Sequence, residues 1–506
     1  MHSGDRANTK GHPTHGGSVF AALRTERVRP RQIRKAPYAW RLAVGTVCFG
    51  AFMGQLDASI VTLIFPALRR EFHTSLASVQ WVSLSYLLAL VAFLIPVGRF
   101  SDAHGRKLMY LYGFWVFTIA SAACGFAPNL LTLIGFRVVQ GAGAAMLQAN
   151  SVAIVTTSTP PHRLRMALGV QAAAQALGLA MGPTLGGLLV DGAGWRWVFW
   201  LNIPVGLLGL VAGRYLLPRT RHRTPLEGLD IVGLALLTAA TSSTLLCLSA
   251  ASGLPLAPAT IAGLVVVAVG SGYLLFRRRG MTTGQLLDLT LLRRPAIRTG
   301  LGVALCGYLI LFGPLVLVPI ALIRAGNSAT YAGLVLTPLP AGFALAAIGA
   351  NKVLSAGWAD HRRATTGLII TVTALAGMLA APLAASFLVP LLALLGIGLG
   401  IFTPANNHIV MTAIPPDRTG VGGGLLNTTR GLGTALGVAL TTLGLRVGVS
   451  NHSDIGPRLA LGILLIVAVA ASVMTWTPSP AHDGAKMQPA TQPEHPSGRQ
   501  CRGLKY

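Results

Sequence analysis

The 506-residue sequence contains little charge, and acidic residues are especially scarce. Charged residues make up 11% of the chain and apolar residues 53%, and only 14 Asp and Glu stand against 40 Lys and Arg. Ordinary soluble domains contain about 25% charged residues, so the composition excludes that class. Apolar runs of about twenty residues recur instead, which is the length that crosses a bilayer. Because these runs must satisfy their own backbone hydrogen bonds in lipid and are too long for barrel strands, we predict an all-α polytopic membrane protein.

Cysteine is also scarce. Of the five cysteines, four lie in apolar runs and one lies in the C-terminal tail: Cys48, Cys124, Cys247, Cys306 and Cys501. No pair has the spacing of a metal or redox site, so we predict no disulfide, no metal and no cofactor. The chain lacks a phosphate loop of the type G-x-x-x-x-G-K-S or G-x-x-x-x-G-K-T, which argues against ATP as the energy source. Paired acids or a nucleophile with its base are missing at membrane depth, which argues against an enzyme.

The apolar runs predict fourteen membrane spans. They cover residues 42–67, 79–100, 108–127, 129–156, 165–190, 197–217, 230–251, 257–276, 299–323, 331–354, 365–386, 388–413, 419–446 and 458–476. An even number places both termini on one side. When that side is the cytoplasm, 32 of the 40 basic residues fall in cytoplasmic segments, six in outer loops and two within spans. The positive-inside rule therefore predicts a multi-pass protein of the cytoplasmic membrane with both termini cytoplasmic.

The net charge of +26 does not indicate nucleic-acid binding. The basic residues lie in short loops between apolar spans, with no stacking aromatic residues among them. A bilayer with anionic headgroups is the expected partner of the basic N-terminal tail, and no nucleic acid is expected.

A weak internal repeat divides the spans into two halves. The sequence Pro-Pro-His-Arg at 160–163 precedes Gly169 and Gly178, and Pro-Pro-Asp-Arg at 415–418 precedes Gly422 and Gly431. Equivalent spans in two parallel repeats predict six-helix bundles around a central site. The predicted organisation is a disordered basic cytoplasmic tail at 1–40, an N-terminal bundle at 41–217, two inserted helices at 218–280, a C-terminal bundle at 281–476 and a disordered cytoplasmic tail at 477–506.

Asp57 is the only carboxylate placed well inside an apolar span. An intramembrane acid is costly and indicates a functional site. At 1.5 Å per residue, Asp57 and Arg137 lie at roughly similar depths, about 10 to 16 Å from the outer face, so the two side chains can meet. Burial disfavours an ionised carboxylate whereas a nearby guanidinium favours it, so a rearrangement can load and release a proton. We predict proton coupling at Asp57 and Arg137; the alternative is a fixed ion pair that holds two helices together.

Polar residues on the first and fourth spans predict how a substrate cavity is lined. On the fourth span, one narrow face carries Arg137, Gln140, Ala144 and Gln148. On the first span, Gln55, Ser59 and Thr62 form a stripe opposite Asp57, and we predict that the charged face points at the cavity. We therefore predict Gln140, Ala144 and Gln148 as cavity residues, and we interpret His408 as a packing histidine rather than a proton site.

The loop after the second span carries a specific motif. Residues 98–107 read GRFSDAHGRK and resemble the hallmark loop of the major facilitator superfamily, through Gly98, Asp102, Gly105, Arg106 and Lys107. The resemblance implies that Asp102 caps a helix start in the opposite bundle, near Thr419, and latches the cytoplasmic side. A negative charge at a helix N-terminus interacts favourably with the helix dipole, so such a contact is physically reasonable. The equivalent loop at 356–363 is a degraded copy.

The fifth span carries a second motif. Its residues Gly169, Gly178, Gly182, Pro183, Gly186 and Gly187 resemble the antiporter signature of the drug:proton exporters in that superfamily. Five glycines and a proline in one helix indicate close backbone contact and a kink. Residues 56–61, LDASIV, and 195–199, WRWVF, resemble the fourteen-helix branch of that family, although Thr62 replaces its usual asparagine.

Together these features predict a proton-coupled antiporter that exports a small amphipathic compound, such as a drug or antibiotic, by alternating access. The expected partners are that small molecule, protons and lipid, with the protein acting as a monomer. The spans after the insertion contain no acidic residue, so a neutral, monocationic or anionic substrate fits better than a multiply charged cation. Two alternatives stay open: an uptake symporter and a membrane sensor that does not transport.

Overall fold

The computed structural model describes residues 26–74, 76–220, 231–251, 256–278, 289–327, 329–354, 357–447 and 455–476. The regular elements in these ranges are all helices, and no strand occurs in them. The predicted all-α class is confirmed. Residues 1–25 and the predicted C-terminal tail, including Cys501, lie outside the described residues.

The last part of the predicted N-terminal tail is ordered. Residues 31–35 form the short helix Arg31–Lys35. The buried carboxylate of Glu26 accepts a hydrogen bond from the backbone N–H of Thr220 at 2.8 Å. The prediction of disorder was therefore wrong for this part, because a buried acid ties it to the main body.

Fourteen helices of the described chain follow the fourteen predicted spans, and we number them α1 to α14. They are α1 Ala39–Ile60, α2 Leu76–His104, α3 Arg106–Gly125, α4 Leu130–Ser158, α5 Leu164–Gly192, α6 Asn202–Leu216, α7 Ile231–Ala251, α8 Pro258–Arg277, α9 Pro295–Arg324, α10 Pro338–Val353, α11 Asp360–Ala380, α12 Ala385–Ala413, α13 Thr419–Val447 and α14 Ile455–Trp476. Shorter helices adjoin four of them: Phe65–Glu71 after α1, Arg196–Trp200 before α6, Leu289–Arg293 before α9 and Ala329–Leu336 before α10.

Eleven helices of the described chain are long and apolar enough to cross a membrane. The others that follow predicted spans are α5, α7 and α13. Helices α5 and α13 each contain 29 residues, and α7 contains 21. A multi-pass membrane protein is supported, whereas the count of fourteen crossings stays a prediction.

The packing of the helices repeats itself. Helix α1 packs on α5, α2 and α3 pack on α4, and α6 packs on α1 and α3. The same pairs recur eight helices later: α9 packs on α13, α10 and α11 pack on α12, and α14 packs on α9 and α11. This is the arrangement of two related six-helix bundles. The residue boundaries of the predicted domains stay predictions.

The bundles meet along two seams. One seam joins α2 and α4 to α13, and the other joins α5 to α10 and α12. Helices α7 and α8 pack on each other, and α7 also contacts α2 and α13. Glycine permits very close approach across the first seam, since a Cβ on Gly98 would lie 2.6 Å from the carbonyl oxygen of Gly420. Any larger residue at position 98 would push the two bundles apart.

Candidate functional site

The motif loop between α2 and α3 reaches across the first seam. Asp102 accepts hydrogen bonds from the backbone N–H groups of Gly420 at 2.9 Å and Val421 at 3.0 Å. Both donors belong to the first turn of α13, whose N–H groups have no partner within the helix. The structure thus places Asp102 at the helix start that the sequence indicated. We call this end of the molecule the latch end.

The other motif residues support this contact in different ways. Arg106 donates to Asp102 at 2.8 Å and to the carbonyl of Pro416 at 3.0 Å, so it also links the bundles. Gly105 has φ of +119°, a conformation that favours glycine and separates α2 from α3. Lys107 acts within its own bundle, because its ammonium donates to the carbonyls of Arg214 and Leu217 where α6 ends.

A second cross-bundle contact lies at the latch end. Asp360, in the degraded loop of the second half, forms a short ion pair with Arg165 at the start of α5. The other carboxylate oxygen lies 2.7 Å from Nδ1 of His408. His408 therefore belongs to this polar contact. The interpretation of His408 as a packing histidine did not anticipate that a carboxylate is its partner. The degraded loop keeps one working acid, since Asp360 occupies the place that corresponds to Asp102 in the repeat.

A cavity of about 410 Å³ lies between the bundles. Apolar side chains form most of its wall, and its leucines come mainly from α2 and α7. Its polar side chains come from both bundles and include Gln55, Gln148, Gln175, Tyr308, Asn427 and Arg430. The cavity reaches Phe65 and Gln80, which lie at the end opposite the latch end. The glycine contacts and both acids close the latch end, so the cavity belongs to the state that faces the other side.

Asp57 lies behind this cavity, inside the first bundle. It is fully buried, and its carboxylate accepts hydrogen bonds from Arg137 at 2.6 Å, Gln140 at 3.0 Å and Asn202 at 2.9 Å. These donors come from α4 and α6. Three donors compensate the loss of water around the carboxylate, which a buried charge requires.

Arg137 is held from several sides. Its Nε donates to the carbonyl of Val82 at 3.0 Å, and its guanidinium lies 4.1 Å from the ring centroid of Tyr86. Gln140 accepts from the same guanidinium at 2.8 Å. Removing one partner of such a buried pair typically costs about 3 to 5 kcal/mol, since the other charge is left alone. The pair is therefore a strong constraint on α1, α2 and α4.

The predicted orientation of α1 was wrong. Gln55 and Ala58 line the cavity, whereas Asp57 points into its own bundle. Ser59 donates to the carbonyl of Leu56, and the side chain of Thr62 lies outside the described residues. The physical reason is that the carboxylate finds its compensating donors on α4 and α6, and not in a mostly apolar cavity.

Two predicted cavity residues also do not line this cavity. Gln140 belongs to the Asp57 network, and Ala144 is buried within the bundle. Gln148 does line the cavity. It packs beside Gly54 of α1, and a Cβ at that glycine would lie 3.6 Å from the Gln148 amide nitrogen. Gln148 therefore lies in contact range of α1 at the point where it reaches the cavity.

The glycine motif of α5 is used in helix packing. A Cβ on Gly178 would collide with the carbonyl of Phe52 in α1, and one on Gly182 would collide with Ser59. Gly169 is equally close to Ala347 of α10, across the second seam. Gly186 is buried, while the surroundings of residues 183 and 187 lie outside the described side chains. The kink and the link to antiport stay predictions.

Arg430 is a site residue that sequence reasoning missed. It lies in α13, is 5% exposed and lines the cavity. One guanidinium nitrogen donates to Asn427 at 3.0 Å, and the guanidinium carbon lies 5.3 Å from the ring centroid of Tyr308. The available signal was that Arg430 and Arg137 are the only two basic residues that lie well inside the predicted spans, away from the span ends.

The sequence matches the family model described as the Major Facilitator Superfamily over residues 47–438. The chain belongs to the Major Facilitator Superfamily. Its relatives in this superfamily include the tetracenomycin C resistance and export protein of Streptomyces glaucescens, which is 30% identical over 85% of this chain and 82% of that protein. The riboflavin transporter RibZ of Clostridioides difficile strain 630 is also 30% identical, over 78% of this chain and 85% of that protein.

A solved structure of the superfamily supports the fold. The human organic anion transporter MFSD10 (TETRAN) superposes with a TM-score of 0.65 at 16% identity, covering 87% of this chain and all of that one. The major facilitator fold is thus confirmed, and the superfamily consists of membrane transporters rather than enzymes. Relatives that act in antibiotic resistance and export place this chain among transporters of small molecules.

Proposed function

We propose that this transporter exports a small amphipathic compound across the cytoplasmic membrane in exchange for protons. The observation that carries the proposal is the buried pair of Asp57 and Arg137 directly behind the central cavity. An intramembrane acid with a single basic partner is the chemistry of a proton relay. The relatives named for resistance and export support the outward direction.

Helix α1 is the mechanical link in this proposal. Its residues Gln55 and Ala58 face the cavity, while Asp57 faces Arg137 on the other side of the same helix. Protonation of Asp57 removes the charge that holds Arg137 and frees α1 from α4. When α1 moves, its residues that line the cavity move with it. The proton and the substrate therefore bind alternately, although they bind at different places in the protein.

The latch contacts supply the two conformations that the cycle needs. Asp102 and Asp360 hold the bundles together when the cavity faces away from the latch end. With the latch end in the cytoplasm, as the basic loops predict, this is the outward-facing state. An acid at a helix N-terminus contributes about 0.3 to 2 kcal/mol, which biases two states and still permits opening.

The proton gradient provides enough energy. One proton moving down about 100 mV yields about 2.3 kcal/mol, and one pH unit adds about 1.4 kcal/mol. Together they sustain a substrate gradient of about five hundredfold at a stoichiometry of one proton. Export against a substantial gradient therefore needs no further fuel.

The proposal is tested by flux in proteoliposomes with an imposed pH gradient. Radiolabelled tetracenomycin C and riboflavin serve as probes, because relatives are named for them. We expect uphill movement of a probe toward the acidic compartment, coupled to proton movement in the opposite direction. Asp57→Asn should abolish uphill movement, whereas Glu71→Gln, on a half-exposed acid paired with Arg196, should not.

Other outcomes identify the alternatives. Uphill movement of probe in the same direction as protons would establish uptake symport, which the riboflavin transporter among the relatives makes a specific second candidate. Probe binding without any flux would establish a sensor. Uphill transport by Asp57→Asn at the parental rate would show that the proton site lies elsewhere.

A further inference from the structure

Five of the polar residues that line the cavity form one connected group around Arg430. Arg430 donates to the side-chain oxygen of Asn427, and the Asn427 side-chain amide donates to the backbone carbonyl of Gln148 at 2.7 Å. Tyr308 lies beside the guanidinium, and its hydroxyl donates to Gln175 at 3.4 Å. The group spans both bundles, since Gln148 and Gln175 belong to the first and the others to the second. We call these five residues the polar cluster.

The charge of Arg430 is not neutralised by a carboxylate in the described structure. Its Nε is buried without a hydrogen-bond partner. Among the described residues that line the cavity, Arg430 is the sole charged side chain. Asp57 is engaged with Arg137 and does not line the cavity. A buried cation with an unpartnered donor is costly unless an anion joins it, so the polar cluster is prepared for a negatively charged group.

The rest of the wall suits an apolar body. Leu84, Leu87 and Leu90 of α2 line one side, and Phe312 of α9 lines another. A planar ring system placed among these side chains removes apolar surface from water. A cavity of about 410 Å³ is in the range that holds a drug-sized molecule.

A second cavity, at the latch end, also has positive charge on its wall. This cavity, of about 740 Å³, is lined by Arg29, Arg106, Lys107 and Arg219. Asp102 and Glu26 lie beside these groups and leave a surplus of two positive charges. Positive potential raises the local concentration of anions and speeds their encounter.

We propose that the substrate is an amphipathic organic anion whose acidic group binds Arg430 and whose ring system lies among the leucines of α2. This inference rests on the proposed function, because it takes the central cavity as the transport site. It narrows the substrate class from any small amphipathic compound to molecules that carry one carboxylate or a comparable acidic group.

The inference has an electrical consequence. Exchange of one proton for one monoanion moves two charges across the membrane, whereas exchange for a neutral compound moves one. At about 100 mV, the potential alone sustains about a 2,000-fold gradient of the anion but about a 50-fold gradient of the neutral compound.

The test compares three probes that share one ring system and differ in charge: 2-naphthoate, 2-naphthamide and 2-naphthylmethylamine. Equilibrium binding to the full-length protein in lipid nanodiscs is measured by calorimetry. We expect 2-naphthoate to bind most tightly. Arg430→Gln should lower the affinity for 2-naphthoate by about tenfold to a hundredfold, which is the usual effect of losing a hydrogen bond to a charged group. Its affinity for 2-naphthamide should change by no more than about twofold. Arg430→Lys should restore part of the affinity.

Arg458→Gln is the matched control, because it removes the same charge from an exposed position at the start of α14. It should bind all three probes like the parent, and unchanged 2-naphthamide binding by Arg430→Gln shows that this variant is folded. Failure of 2-naphthoate to bind, or equal affinity for 2-naphthoate and 2-naphthamide, overturns the inference. So does an equal loss of all probes in Arg430→Gln.

Flux of the same probes in proteoliposomes separates this inference from the proposed function. A preference for 2-naphthoate that depends on Arg430, without any flux driven by pH, would support the anion site and contradict proton exchange. Proton-driven flux without a preference for the charged probe would support proton exchange and contradict the anion site.

Discussion

At the scale of single residues, the carboxylate of Asp57 carries the largest local constraint. Its three donors come from Arg137, Gln140 and Asn202, so a single charge organises α1, α4 and α6. Asn202 also donates to Ser121 at 3.1 Å, which extends the network to α3. Replacing any one of these residues is expected to lower stability, because each replacement leaves a buried polar atom without a hydrogen-bond partner.

The pair can be tested by a double-mutant cycle on stability. Asp57→Asn leaves Arg137 buried without its counter-charge and should lower the free energy of unfolding by about 3 to 5 kcal/mol. Combining it with Arg137→Gln should cost less than the sum of the single changes, since no charge then remains unpaired. Thermal unfolding in detergent measures all four proteins. Simple additivity would show that the two groups do not interact.

The corrected placement of α4 residues predicts different kinetic effects for two glutamines. Gln148→Ala removes a cavity hydrogen-bond partner and should raise KM about fivefold with little change in kcat, in line with about 1 kcal/mol. Gln140→Ala disturbs the Asp57 network and should lower kcat instead. Initial rates in proteoliposomes over a range of substrate concentrations distinguish the two. A raised KM in Gln140→Ala with an unchanged kcat would show that Gln140, and not only Gln148, contacts the substrate.

The residues also show where sequence reasoning succeeds. Asp57 and Arg137 could be found because charge inside an apolar span is rare. The face of α1 that lines the cavity could not be predicted, because polar residues lie on two sides of that helix. Its orientation depends on the hydrogen-bond donors that α4 and α6 contribute to Asp57. Asn202 needed the fold because its partners Asp57 and Ser121 are distant in sequence, and Arg430 needed it because Tyr308 lies on another helix.

At the scale of helices, the ends of α5 and α13 carry the contacts that hold the latch end. Asp102 binds the first turn of α13, and Asp360 binds Arg165 in the first turn of α5. The contacts are related by the internal repeat but use different chemistry, with backbone N–H donors in one and a side chain in the other. The sequence predicted the first from its motif; the second lies in a loop that has lost most of the motif.

Weakening the latch should open that end. Asp102→Asn removes the charge at the helix start, and a loss of about 0.3 to 2 kcal/mol shifts the two populations by about twofold to thirtyfold. Spin labels on Thr157→Cys and Thr412→Cys, exposed positions on α4 and α12, should report a larger population at long distance. Adding Arg165→Ala should enlarge the shift. An unchanged distance distribution in the double variant would show that neither acid holds this end.

Glycine substitutions test the packing of α5 on α1. Gly178→Ala places a methyl group against the backbone carbonyl of Phe52 and should lower the melting temperature and the transport rate. Gly45→Ala is the matched control, because nothing lies within 4 Å of its Cβ position. It should be neutral or slightly stabilising, since alanine favours a helix by up to about 1 kcal/mol over glycine. Similar behaviour of the two variants would contradict the assigned contact.

At the scale of the whole molecule, the repeat of helix contacts places two related bundles on either side of a central cavity. Both seams are closed at the latch end, and the cavity reaches the other end. The sequence predicted the all-α class and the segments that form helices, because apolar length is a local property. It did not predict which side is closed, because that depends on contacts between the bundles.

The inserted helices make the two seams unequal. Helix α7 contacts both α2 and α13, and its Leu245 and Leu248 belong to the cavity wall, whereas α8 is largely exposed. The seam between α5 and α10 has no comparable cover among the described residues. The flank toward α7 is therefore covered from the surrounding lipid by an extra helix, whereas the flank along α5 and α10 faces it without one among the described residues.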